Sequence, residues 1–236
     1  MSGVVVAIDG PSASGKSSTA RAVAERLGFA HLDSGALYRG LTLVALREAA
    51  RRDPSAAEPL AVVDAETVLR AAEDRGLMLQ SDGVGFSTYV DGEPADSAIR
   101  AADVTVHASA VAAVPTVREW VNIHLRGLVR AGRDVVVDGR DIGTVVFPDA
   151  LLKIFLTASP EARASRRISQ RGMRIDPASL AEEAKLLATR DHADSSRATA
   201  PLQRADDAVE LDTTRLGFEE QVARIVALAR ERLERR

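Results

Sequence analysis

The octapeptide GPSASGKS, residues 10–17, sits between the apolar run VVVAID and the segment STARAVAERLG. The run before it is β-branched and does not alternate, as a strand buried on both faces of a parallel sheet requires. The segment after it puts Ala20, Val23, Ala24 and Leu27 on one helical stripe, with Gly28 suited to a C-cap. Gly10, Gly15, Lys16 and Ser17 therefore satisfy the phosphate-loop pattern in the strand–loop–helix context the pattern needs. In such a loop the N–H groups of Pro-flanked small residues and of the helix N-terminus converge on an anion, and the helix dipole adds to the attraction. Gly10, Pro11, Ser12, Ala13, Ser14, Gly15, Lys16, Ser17 and Ser18 are the expected nucleotide contacts. Lys16 would reach the β- and γ-phosphates, and the Ser17 hydroxyl would ligate Mg2+, making ATP and Mg2+ the expected cofactors. A chance Gly/Ser-rich turn is the alternative, and the flanking strand and helix weigh against it.

What the loop serves is narrowed by the rest of the chain. The guanine-reading N-K-x-D pattern of GTPases is absent, and 236 residues are too few for a motor or large ATPase. A kinase of a small acceptor needs a second anion site opposite the loop. The formal net charge of -3 argues against a nucleic-acid-coating surface. The absence of cysteine excludes disulfides, thiolate catalysis and Cys-based zinc sites. No apolar run reaches the roughly 18 residues of a membrane span, and the N-terminal run reads as a core strand rather than a signal peptide. A soluble, cytoplasmic, monomeric protein with no nucleic-acid or membrane partner is expected.

Along the chain, FAHLDSG reads as a short strand ending in a polar turn, followed by a helix from about residue 37 to 50. Residues 60–105 change character, with a short helix at 65–73 and then Asp-Gly turns between short alternating runs, the mark of hairpins. A helix pair broken near Pro115 follows. DVVVDGRD and LLKIFLT are again strands, SPEARASRRISQRG and DPASLAEEAKLLATRDHAD are helices with capped starts, DAVELDTT is a last strand, and FEEQVARIVALARERLERR a final amphipathic helix. Strands alternating with helices predict an α/β fold with a parallel sheet flanked by helices.

Three polar clusters follow predicted strands or helices. Residues 33–39 hold Asp33, Ser34 and Arg39; residues 138–144 hold Asp138, Arg140 and Asp141; and RDHADSSRATAPL holds Arg190, Asp194 and Arg197. The first two lie at strand ends, the ligand edge of a doubly wound sheet. Taken singly, each has a plainer reading as an N-cap, an Asp-Gly turn or a solvated helix face. His31, His107, His124 and His192 lack metal-ligand spacing and read as structural or surface residues, and Trp120 with Val121 and Leu125 reads as core.

GPSASGKS, LDSGALYRG, VVVDGRDIGTVVFPDA and RDHADSSRATAPL, in this order and spacing, resemble the bacterial cytidylate kinases, nucleoside monophosphate kinases of the P-loop class. The resemblance covers essentially the whole chain. It implies one P-loop kinase domain over residues 1–236, with a small β-containing CMP-binding insert at about 60–105 and a lid at about 160–176. It also implies transfer of the γ-phosphoryl group of ATP to CMP or dCMP, in pyrimidine nucleotide metabolism. By the same resemblance Ser109, Arg118 and Asp141 fall on the cytosine-reading positions, and Ser34, Arg39 and Arg140 on those around the monophosphate. Arg190, Asp194 and Arg197 fall on ribose and phosphate contacts. Lys16, Arg140 and Arg190 would be catalytic, Arg163 and Arg167 lead among the lid arginines for the nucleotide, and Asp138 would orient a water on the metal. The rivals are a kinase of another small acceptor, such as UMP or shikimate, a non-transferring ATP-binding regulatory module, and a nucleic-acid-binding ATPase.

Overall fold

The computed structural model describes residues 3–235. Within it, 3–32 together with 129–235 form one compact unit, and 33–128 another. The first unit is built on a sheet of five strands, β1 (Val5–Asp9), β2 (Ala30–Asp33), β6 (Val135–Asp138), β7 (Leu152–Thr157) and β8 (Val209–Asp212), in the order β2-β6-β1-β7-β8. The second holds the antiparallel strands β3 (Met78–Ser81), β4 (Phe86–Val90) and β5 (Glu93–Pro94). β1 runs parallel to both β6 and β7, and β7 to β8. Every residue of β1 is buried, as its unbroken apolar run predicts for a strand flanked on both sides.

Helices α1 (Lys16–Leu27), α6 (Pro160–Gln170), α7 (Pro177–Ser195) and α8 (Phe218–Glu234) complete the first unit. Val6, Ile8, Val136, Ile154 and Leu156 from the sheet meet Ala20, Val23 and Ala24 of α1 and Val222, Ile225, Val226 and Ala229 of α8 in one core. The stripe read from the sequence is the buried one, with Leu27 at its margin, and Gly28 ends α1 in the left-handed conformation. Ser159 caps α6 and Asp176 caps α7, each followed by a proline in the first turn, where no N–H is needed.

The second unit contains α2 (Ser34–Arg52), α3 (Ala65–Asp74), α4 (Ala102–Ala112), most of α5 (Pro115–Arg130) and the small sheet, in the order β3-β4-β5. Its second hairpin turn has positive φ at Asp91 (58°) and Gly92 (77°), the pair of conformations that makes Asp-Gly a hairpin signal. The stretch 60–105 lies inside this unit. Trp120 is buried and stacks on His124 at 3.6 Å between ring centroids, a core position as expected.

Two boundaries differ from expectation. α2 begins at Ser34, not near residue 37, because the Asp33 carboxylate accepts from the Gly35 N–H and caps the helix at once. α1 begins at Lys16 rather than Ser18, since Gly15 (φ 93°) turns the loop directly into the helix. Leu156 of β7, the strand beside the central β1, is fully buried. Leu156→Ala should lower the free energy of unfolding by about 3 kcal/mol in a denaturant titration, through lost transfer energy and the cavity left behind.

Candidate active site

Ile8 of β1 is in register with Asp138 of β6, so these neighbouring strands end side by side. The phosphate loop leaves one and the turn 139–143 leaves the other from the same sheet edge, the edge at which open α/β sheets bind ligands. Gly10 is obligatory there: its φ is +146°, and a Cβ would stand 2.1 Å from the Leu156 carbonyl oxygen of β7. Lys16 is 6 % exposed, and its ammonium donates to the Pro11 carbonyl at 2.6 Å and the Ser14 hydroxyl at 3.4 Å. Burial, and next the positive charge of Arg140, hold its pKa well below the usual lysine value, against the opposing pull of Asp138, Asp9 and Asp191.

The loop is braced from outside by α6, α7 and α8. Ser12 is gripped at all its polar groups: its N–H donates to Asp191 at 3.0 Å, its carbonyl accepts from Arg163 at 3.1 Å, and its hydroxyl accepts from Arg140 at 2.9 Å. Arg163 and Asp191 also pair directly with each other. Arg166 donates to the Ser14 carbonyl at 3.2 Å and to the Thr213 carbonyl at 2.5 Å. Gln221 of α8 donates to Thr19 at 2.7 Å, whose own hydroxyl donates to the Gly15 carbonyl at 2.8 Å.

At the end of β6, Asp138 accepts from the Ser17 hydroxyl at 2.5 Å through one oxygen and from His31 Nε2 at 2.7 Å through the other. Burial pushes this carboxyl up, but the hydrogen bond and charge of His31, the Ser17 hydroxyl and Lys16 outweigh it and hold the pKa below the ordinary value. A hydroxyl and an ionised carboxylate this close offer oxygen-only donors, which fit a hard divalent cation such as Mg2+. Beyond Asp138, Arg140 donates to Asp194 at 2.8 Å, and Arg197 donates to the Asp194 carbonyl at 3.1 Å. Asp141 is 4 % exposed and opens a π-helical turn, Ile142–Val146, that no sequence pattern announced. Arg190 stands one turn before Asp194 on α7, half-buried.

The other arginines of 160–176 differ in setting. Arg171 donates to Glu183 at 2.7 Å. Arg167 is depressed below the ordinary arginine value by burial, then by the like charges of Arg171 and Arg140, with Glu183 opposing. Its Nε is buried without a hydrogen-bond partner among the described residues. In the second unit, Arg39 donates to Thr105 at 3.0 Å, and Ser109 stands one turn beyond Thr105 on α4. Arg118, 2 % exposed, donates to the Ala112 carbonyl at 3.0 Å and lies over the Tyr38 ring at 5.4 Å. Ser34 is buried as the first residue of α2.

Four residues of the first unit stand in this arrangement that were not among the expected site residues. His31, set aside on spacing, is joined to Asp138; only its place two residues before the strand's end hinted at that. Arg166, rather than Arg167, reaches the loop carbonyl. Asp191 adjoins Arg190 in the third cluster. Asp9 was read as the last residue of a strand. Its carboxylate accepts from the Ile142 N–H at 2.9 Å and the Gly143 N–H at 2.8 Å.

Burial raises the Asp9 pKa from 3.8 to about 6, against the two backbone hydrogen bonds and Lys16, with Asp141 adding to the rise. The folded chain thus holds this proton more tightly than the unfolded chain. The group's stabilising contribution is complete below pH 3.8 and is lost as pH climbs through about 6. Unfolding free energies measured from pH 3.5 to 7.5 should fall on the order of 3 kcal/mol less steeply across that window in Asp9→Asn than in the parent chain.

Comparison with known proteins places this arrangement in a family. The cytidylate kinase family model matches residues 6–231. The cytidylate kinase of Geobacillus sp. (strain WCH70) is 42% identical over 228 residues, covering 97% of this chain and 97% of its own. That of Streptomyces griseus is 45% identical over 228 residues, covering 96% and 93%. That of Rhodococcus jostii is 43% identical over 232 residues, covering 97% and 96%. A match of this depth from one end of the sheet to the last helix makes the chain a member of the cytidylate kinase family.

Proposed function

We propose that the protein transfers the γ-phosphoryl group of ATP to CMP or dCMP, giving ADP and CDP or dCDP. The observation that carries this reading is the shared sheet edge, where a phosphate loop with a buried lysine and a turn bearing Arg140 and Asp141 leave adjacent strands. In the reaction a CMP phosphate oxygen attacks the γ-phosphorus, its new P–O bond forms as the bond to the β-phosphate oxygen breaks, and the electron pair leaves with ADP. The attacking oxygen is already ionised at neutral pH, so no strong general base is required and no covalent enzyme intermediate forms. Catalysis then comes from alignment and from cations around the transferring group, which are Lys16, Arg140 and Arg190.

Ser17, and Asp138 through a water, would hold Mg2+, which when bound neutralises charge on the β- and γ-phosphates. His31 and Ser17 keep Asp138 ionised for that task. Arg163 and Arg167, in the lid at 160–176, complete the nucleotide contacts and exclude water that would hydrolyse ATP. Ser34, Arg39 and Arg140 contact the acceptor phosphate, and Arg190, Asp194 and Arg197 the ribose and phosphate.

Base choice follows from hydrogen-bond polarity. Cytosine offers an N4 donor beside N3 and O2 acceptors. Asp141 accepts from N4, while Arg118 and Ser109 donate to N3 or O2. Uracil inverts the first two groups and would set carbonyl against carboxylate, at about 1–3 kcal/mol for each buried group left unpaired. No helix among the described residues is long and apolar enough to cross a membrane. A cytoplasmic monomer acting on small nucleotides in pyrimidine metabolism, with no nucleic-acid or membrane partner, is the setting this reading favours.

Release of ADP with MgATP and, separately, CMP, dCMP, UMP, AMP, GMP and shikimate tests the assignment. Fast turnover is expected with CMP and dCMP only; equal turnover with UMP would make the protein a general pyrimidine kinase, and none with any acceptor would favour an ATP-binding regulatory module. Asp141→Ala should cut the CMP-over-UMP ratio of kcat/KM by about ten-fold or more. Lys16→Ala should lower kcat by about 100-fold or more while the chain stays folded by circular dichroism.

A further inference from the structure

Asp9 has a consequence for the acceptor that its place on the nucleotide strand conceals. It is the last residue of β1, immediately before Gly10, and is 4 % exposed. Each of its carboxylate oxygens is committed to the turn after β6, one to the Ile142 N–H and one to the Gly143 N–H. The Lys16 ammonium, by contrast, is held by Pro11 and Ser14. The turn fits closely over this carboxylate: a Cβ added to Gly143 would meet the Lys153 methylenes at 3.1 Å and an Asp9 oxygen at 3.4 Å. Lys153 is itself fixed by an ion pair with Asp207 at 2.9 Å. The residues just before the two bonded amides are Arg140 and Asp141.

We propose that Asp9 is a positioning residue for the acceptor, tying the turn that carries Arg140 and Asp141 to the strand that feeds the phosphate loop. The inference rests on the assignment of those two residues to CMP. Two successive N–H groups need two acceptor oxygens on one short side chain, and only aspartate supplies them at this reach. Asparagine keeps the shape but turns an NH2 group onto one of the amides, so the turn loosens on one side. A second tie, from Arg140 to the Ser12 hydroxyl, joins the same turn to the loop itself. Acceptor and donor are thereby registered to a common strand end, as in-line transfer demands, where displacements of about 1 Å are costly.

Calorimetric titration at pH 8 of CMP, and separately of MgATP, into the parent chain, Asp9→Asn and Gly143→Ala tests the tie. Asp9→Asn should weaken CMP about ten-fold, as loss of one charge-assisted hydrogen bond implies. It should leave MgATP within about three-fold, with no fall in the unfolding midpoint. Gly143→Ala, which presses on the tie from the other side, should shift CMP in the same direction. Unchanged CMP affinity in Asp9→Asn, or equal loss for both nucleotides, overturns the proposal. If Asp9→Asn does not fold, Gly143→Ala decides by the same criterion. A parent chain that binds MgATP but not CMP refutes the acceptor assignment, and the positioning role falls with it.

Discussion

A buried ammonium group sets the terms for this protein. Lys16 is itself nearly closed to water, and a desolvated cation is tolerable only beside compensating charge. Asp138, Asp9 and Asp191 supply it, yet Lys16 hydrogen-bonds Pro11 and Ser14 instead. Each carboxylate is restrained by other partners: Asp138 by Ser17 and His31, Asp9 by two turn amides, and Asp191 by Ser12 and Arg163. The lysine is thus balanced by fixed charges that do not collapse onto it. It stays in place for a polyphosphate, whose arrival would raise its depressed pKa again.

The arginines obey the complementary rule. Arg140 lowers the pKa of both Lys16 and Arg167, and Arg171 adds to the second effect. Like charges held this close are unfavourable until an anion lies among them. Asp194 and Glu183 relieve part of that repulsion, through Arg140 and Arg171 respectively. The surplus is a standing preference for polyanionic ligands, written into side chains from the turn after β6 and from the helices α6 and α7 with their ends, whatever the identity of the acceptor.

Much of this was legible in the sequence, for reasons that differ by element. β1 and α1 announced themselves because burial on both faces leaves an unbroken apolar run, and the glycine loop between them has few other uses. Helix starts at Ser159 and Asp176 were readable from short-range capping chemistry. The start of α2 was missed because Asp33 had two local uses, turn and cap, that composition does not separate. The π-helical turn at Ile142–Val146 was invisible, and the carboxylate that accepts from its first two N–H groups, Asp9, lies more than a hundred residues away in the chain. His31 and Asp191 were passed over for a similar reason: their partners, Asp138 and Ser12, are distant in sequence and adjacent only in the folded sheet. Local rules found the elements and the loop; long-range hydrogen bonds supplied the braces.

The grip on Ser12 bears on motion. Arg163 lies in the first turn of α6 and Asp191 near the end of α7, and both are fastened to the same loop residue. While that fastening holds, the two helices cannot swing away as a free flap from their roots. Arg166 adds a second fastening, to the Ser14 and Thr213 carbonyls, so the part left clear of the loop is the outer end beyond it, whose tip at 171–176 carries the exposed side chains Met173 and Ile175. Any displacement of that tip would pivot on a root already bonded to the phosphate loop, so its reach would be short.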